Sequence, residues 1–204
     1  MPQPAARSTS TTQRVDSDDD LALLERIAAG DRGAIQRLYF AYHRRLSRFL
    51  SRTVRRPDLV EEIVNDTMFT VWRGAGDFRG DSRVSTWVMG IAYRHALKRM
   101  RRDRRSSETL SIEQHDIDPG NDAGAGQREL RECIERALLS LPAPQRLVIE
   151  LAYFMGYSCE EISTIADCPV NTVKTRLFHA RERLRALLPG LSDIAAAPDQ
   201  RNPA

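Results

Sequence analysis

Two short stretches of the 204-residue sequence concentrate side chains able to grip a polyanion. Between Arg94 and Arg105 there are seven Lys or Arg and a single acid, Asp103. Between Val170 and Arg185 there are five Lys or Arg against one Glu. Guanidinium and ammonium groups hold phosphates. Interleaved with them, Thr175, Phe178 and His179 supply a hydroxyl, a ring face and an imidazole suited to base edges and thymine methyls. Acid–base, nucleophilic and metal chemistry are far less well supplied. The four His form no coherent site with acids or nucleophiles, and Cys133, Cys159 and Cys168 show no CxxC spacing. No metal, no cofactor and no small-molecule substrate are expected, and enzymatic activity is the least supported class. Free thiols, with no secretory h-region and no apolar run of membrane length, point to the cytoplasm.

The elements that must position these residues are helical. Val60, Ile63, Val64, Thr67, Met68, Val71 and Trp72 recur at helical offsets and predict one buried face. Leu130, Cys133, Ile134, Ala137, Leu138 and Leu141 predict another, with Cys133 as a small buried hydrophobe. No strand pattern or repeat appears, so the fold class is all-α, with two small helical domains joined by a flexible linker. Residues 1–20, rich in Ser, Thr and Pro and then acidic, read as a disordered tail. The first domain runs over 21–105. The linker, 106–126, has five acids, no Lys or Arg, and Pro119, Gly120, Gly124 and Gly126. The second domain covers 127–188, and Pro189 with Gly190 opens a second disordered tail, 189–204. Net charge is only +3, so charge distribution, two basic segments about an acidic tether, is what suggests two binding modules.

The second domain carries a helix-turn-helix pattern. Ser158, Cys159, Glu160 and Glu161 read as a capping box opening a short helix with Ile162, Ile165 and Ala166 inward. That helix ends near Asp167 and Cys168, and Pro169 suits the first position of the next. The next helix buries Val173, Leu177, Ala180, Leu184 and Leu188. Its other side offers Lys174, Thr175, Phe178 and His179, with Arg176 and Arg181 beside them. In a major groove Lys174 could donate to guanine and Phe178 pack on a thymine methyl, while Arg176 and Arg181 hold phosphates. Two ordinary core helices with solvated basic faces would give the same local pattern.

The segment YSCEEISTIADCPVNTVKTRLFHARERL, from Tyr157 to Leu184, resembles the promoter-reading domain of extracytoplasmic-function (ECF) sigma factors. Asn171 stands where that family usually has Gly, and His179 where Arg is frequent. FRGDSRVSTW, from Phe78 to Trp87, followed by Ile91 and Ala92, is similar to the family's F-R-G-x-S-x-x-x-T-W-L-x-x-I-A segment. The run from Glu62 to Trp72 is similar to its D-x-V-Q-E-x-F-x-x-x-W, with Asn65 and Asp66 replacing Gln and Glu. The resemblance implies a dissociable subunit of RNA polymerase. Lys174, Thr175, Arg176, Phe178, His179 and Arg181 would read the −35 element. Phe78, Arg79, Asp81, Ser82 and Arg94 would melt the −10 element and capture an extruded base, with Lys98, Arg101 and Arg102 on phosphates. Glu62, Asn65 and Asp66 would dock on the clamp coiled coil of the largest polymerase subunit, and the second domain on the flap of the second largest. It further implies an anti-sigma factor as partner, and a linker that threads the channel later used by RNA, where an acidic segment suits walls made for a polyanion. Trp87, at a helix start, reads as core.

Two other functions compete. A conventional helix-turn-helix regulator would have no reason to carry the Phe78–Trp87 segment. A sigma mimic that only sequesters a regulator would usually add a receiver domain, for which the chain has no room.

Overall fold

The computed structural model describes residues 10–54, 56–106 and 125–188, which are helical with no strand among them. The helices are α1 (Ser10–Ala28), α2 (Arg32–Thr53), α3 (Pro57–Gly74), α4 (Val84–Ser106), α5 (Ala125–Ser140), α6 (Ala143–Ile149), α7 (Cys159–Ala166) and α8 (Val170–Leu187). A 3-10 turn, Ala75–Asp77, follows α3, and a π-helical turn, Glu150–Phe154, continues α6. The chain divides into two compact units, the first holding α1 to α4 together with Thr164–Ala166 from the end of α7, and the second holding the rest of the described residues from α5 onward. Residues 1–9 of the expected first tail, almost all of the expected linker and the whole of the expected second tail lie outside the described residues. None of the described helices is long and apolar enough to cross a membrane.

The first unit is organised around α3, which packs on both α2 and α4. Pro57 begins α3 at a position where its missing N–H is not needed. Val60, Ile63, Val64, Thr67, Met68 and Val71 are buried as their spacing predicts. Thr67 survives in that stripe because its hydroxyl donates to the Ile63 carbonyl at 2.6 Å. Leu38, Leu46, Phe49 and Leu50 of α2 and Val88, Met89, Ala92 and Ala96 of α4 complete the core.

Trp72 departs from the expected face: it is 46% exposed and meets the equally exposed Phe69 edge to face, with ring centroids 5.9 Å apart. Nine residues separate Trp72 from Ile63, about two and a half turns, which turns the indole to the opposite side. A second difference is α1, which reaches back to Ser10 into the stretch expected to be disordered. Leu24 and Ile27 bury their side chains, and the Asp20 carboxylate accepts from the Tyr42 hydroxyl of α2. A helix anchored at its C-terminal half extends backwards with little further cost per residue, because its nucleus already exists. Gly30, at φ +88°, allows the turn into α2. Asp31 caps α2 by accepting from the Gly33 and Ala34 amides at 2.8 and 3.2 Å.

In the second unit α6 packs on α8, and Leu147, Val148, Ile149, Leu151, Ile162, Val173 and Ala180 form the core. Arg146 and Glu150 are also buried, and each is engaged by neighbouring groups. The expected stripe of α5 is buried only at its end. Ala137, Leu138 and Leu141 are buried, Cys133 and Ile134 are partly exposed, and Leu130 is exposed. Cys133 is therefore not the enclosed hydrophobe its spacing suggested, because the packing tightens only toward Leu141.

Truncating Ile63 to Ala should lower the unfolding free energy by about 2–5 kcal/mol in a denaturant titration, as for other fully enclosed aliphatics. Trp72→Ala should change it by less than about 1 kcal/mol, since its ring is half in solvent.

Candidate nucleic-acid interface

The capping box forms as its residue types require. The Ser158 hydroxyl accepts from the Glu161 amide at 3.2 Å, and the Glu161 carboxylate accepts from the Ser158 amide at 2.9 Å. Gly156, at φ +73°, turns the chain into this start. Helix α7 ends on Asp167 in the left-handed region at φ 49°, a conformation Asp tolerates better than most residues. The Ser163 carbonyl accepts from the Asp167 and Cys168 amides, and the Ser163 hydroxyl donates to the Cys168 carbonyl at 2.7 Å. This short turn fixes the approach of α8. Pro169 stands at its N-cap, one place earlier than the spacing suggested, and Val170 is the first helical residue.

Helix α8 buries Val173, Leu177 and Ala180, while Leu184 and Leu188 are partly exposed. Lys174, Thr175, Phe178 and His179 are exposed together, with the Phe178 and His179 rings 5.5 Å apart. The Thr175 hydroxyl donates back to the Asn171 carbonyl at 2.9 Å, leaving its oxygen and methyl outward. The Glu160 carboxyl is held below the usual range by its own amide, then by the Ser158 hydroxyl, and also by Lys174. Arg176 and Arg181 are half-buried. Arg176 reaches the Cys168 sulfur at 3.5 Å and Arg181 the Leu177 carbonyl at 3.4 Å. These two guanidiniums flank the exposed group rather than standing in it.

In the first unit, Phe78 is half-buried against Trp87, with centroids 5.2 Å apart at 55°. Trp87 is itself only partly buried, so it is a wall beneath Phe78 rather than deep core. Gly80 turns the loop at φ +76°, and Arg79 and Asp81 stand exposed, with Ser82 partly covered. Arg94, Lys98, Arg101 and Arg102 are exposed along one stripe of α4, beginning about 15 Å along the helix from Val84 at 1.5 Å per residue. Arg104 and Arg105, the end of the basic run, have side chains outside the described residues.

Glu62, Asn65 and Asp66 are exposed on α3, opposite its buried stripe. Spacing alone did not reveal their neighbours. Phe69 and Trp72 continue the same face, with the Arg73 guanidinium 5.8 Å from the Phe69 centroid. Arg99 of α4 forms an ion pair with Glu62, and the Tyr39 hydroxyl approaches Asn65 Oδ1 at 3.4 Å. These cross-helix contacts join residues 26 and more positions apart, and only the exposed ring positions could have been read from periodicity.

The architecture and these surfaces define an all-helical protein of two units, the second a helix-turn-helix unit whose exposed edge is basic and aromatic. The family description "Sigma-70 region 2" matches residues 38–106, and "Sigma-70, region 4" matches 131–184. The chain is 36% identical over 169 residues to the ECF RNA polymerase sigma factor SigM of Mycobacterium tuberculosis, covering 83% of this chain and 84% of that protein. It is 35% identical over 179 residues to the ECF RNA polymerase sigma-E factor of Escherichia coli K12, covering 81% and 92%. The chain belongs to the ECF RNA polymerase sigma factors of the sigma-70 family. Among solved structures, it is similar to the sigma factor RpoE of Bartonella quintana, in complex with the anti-sigma factor NepR. That match has a TM-score of 0.63 and 27% identity over 76% of this chain and 96% of the other. CnrH, solved with the cytosolic domain of CnrY, shares the fold at TM-score 0.62 and 23% identity, over 86% and 99%.

Ser158→Ala should cost about 1 kcal/mol of second-unit stability by removing the reciprocal cap, read as a lower thermal midpoint.

Proposed function

We propose that this sigma factor binds core RNA polymerase through α3, reads promoter DNA through α4 and α8, and is held in check by an anti-sigma factor. Glu62, Asn65 and Asp66 meet the clamp coiled coil of the largest subunit, with Phe69 and Trp72 as the apolar part of that contact. The second unit meets the flap of the second largest. Lys174, Thr175, Phe178 and His179 enter the major groove at the −35 element, and Arg176 and Arg181 hold its edges. Phe78, Arg79, Asp81, Ser82 and Arg94 act on the −10 element, and Lys98, Arg101 and Arg102 on its phosphates. Functional domains of 21–105 and 127–188, an acidic tether and a cytoplasmic site of action complete the proposal. The protein carries out no chemistry of its own.

The observation that carries this reading is the exposed quartet of α8. Four side chains able to contact bases project from a helix whose approach is fixed by the capped helix before it. The RpoE–NepR pairing supports an anti-sigma partner by kinship. A partner that covers α3 would exclude core polymerase by simple overlap.

Equilibrium binding separates the two surfaces. Asp66→Arg should weaken association with core polymerase at least about tenfold, since a like charge replaces an attractive one at a docking contact. Lys174→Ala should leave core binding unchanged and weaken binding of the holoenzyme to −35-containing DNA by about 1–3 kcal/mol. Equal behaviour of both variants and the wild type in both assays would contradict the assignment.

A further inference from the structure

Thr70 of α3 and Ile91, Arg94, His95 and Lys98 of α4 line an open depression of about 150 Å³. Ile91, 4% exposed, is its floor, and the exposed Arg94 and Lys98 stand one helical turn apart on its rim. His95 lies between floor and rim, half-buried, with Nε2 3.0 Å from the Thr70 hydroxyl oxygen. That hydroxyl already donates its single proton to the Asp66 carbonyl at 2.8 Å. With that proton on the Asp66 carbonyl the Thr70 oxygen accepts from His95, so we assign the neutral ring its proton on Nε2, with Nδ1 left to take up a second. The charged groups acting on the ring are Asp66 from α3, which favours the imidazolium, and Lys98 and Arg94 from α4, which oppose it. Among the described residues no charge from α1 or α2 adds to these.

We propose that this groove is a phosphodiester subsite for promoter DNA, in which Arg94 and Lys98 are the standing cations and His95, oriented by Thr70, is a third ligand. The inference rests on the −10 reading above and deepens it by adding two residues and a proton. The occupant is a strand rather than a free anion because the cations form a track. Arg94, Lys98, Arg101 and Arg102 fall within one stripe of α4 and span about 12 Å at 1.5 Å per residue, enough for successive phosphates.

The site binds a proton along with its ligand. In the free protein burial, reinforced by Lys98 and Arg94, holds His95 below the ordinary histidine value. A phosphate seated between those cations offsets their repulsion and accepts from the imidazolium, so the bound pKa lies above the free one. Affinity then rises as pH falls from the bound value toward the free value and is level outside that window. The limit for one proton is about tenfold per pH unit.

The test uses holoenzyme reconstituted with core polymerase and a fork-junction DNA carrying the −10 but no −35 element, so that His179 has no target. Binding is followed by fluorescence anisotropy from about pH 5.5 to about pH 8 at constant ionic strength, bracketing the histidine range. Wild-type affinity should increase several-fold on acidification relative to His95→Gln, and Thr70→Val should blunt that response without changing core association. Lys98→Gln, at an exposed position, should lower the slope of log affinity against log salt by about 0.7–0.9. Parallel pH profiles for wild type and His95→Gln would overturn the subsite. So would millimolar inorganic phosphate that abolished the pH response but left DNA binding intact, because a small anion would then be the occupant. Wild-type holoenzyme with no preference for the −10 fork over a scrambled one would overturn the −10 reading itself, a result distinct from either.

Discussion

Everything the first unit presents to a partner depends on one geometric constraint, the burial of a single stripe of α3 between α2 and α4. With Ile63, Val64, Thr67 and Val71 fully enclosed, the 3.6-residue repeat leaves no freedom in where the other residues point. Glu62, Asn65, Asp66, Phe69 and Trp72 are driven outward together, and a mixed acidic and aromatic face results. The same stripe carries one polar residue, Thr67, satisfied within its own helix, so the face needs no buried charge to hold it in register. The exposed aromatics are thus a consequence of packing on the far side.

The groove between α3 and α4 is also where the two proposed activities meet. Glu62 is paired with Arg99, and Asp66 acts on His95, so both acids of the proposed docking face are electrostatically tied to the helix that carries the cations proposed to face DNA. A basic surface that engages Glu62 competes with Arg99 and frees a guanidinium on α4. Half-exposed pairs of this kind are individually weak, which suits contacts that must be exchanged rather than kept. In the second unit the corresponding role belongs to backbone geometry. The capping box, the left-handed Asp167 and the Ser163 contacts set the angle of α8 with little help from long-range charge.

Much of this was legible in the sequence, for identifiable reasons. Periodicity located the buried stripe of α3 and placed Glu62, Asn65 and Asp66 off it, because both follow from local helical geometry. The Ser158–Glu161 cap was legible because it is closed within four residues. Trp72 was misplaced because a large ring at the margin of a stripe reads as core unless its angle is followed through two further turns. The extension of α1 to Ser10 was hidden, because composition marks that stretch as disordered while its helix continues from a C-terminal half anchored by Leu24, Ile27 and the Asp20–Tyr42 contact. The Arg99–Glu62 and His95–Thr70 contacts could not be read, since each joins two helices whose relative rotation is set by packing. The π-helical turn that begins at buried Glu150, and the burial of Arg146 in the helix before it, left no local signal at all.

The central claim, that this chain directs RNA polymerase to promoters through both units, is tested most directly by reconstituted transcription with core polymerase, the purified protein and a library of genomic fragments. Discrete start sites that share −35 and −10 motifs, and that vanish with Lys174→Ala or Asp66→Arg, are the predicted result. A protein that binds such fragments without core polymerase, and directs no start with it, would contradict the claim and leave a conventional helix-turn-helix regulator in its place.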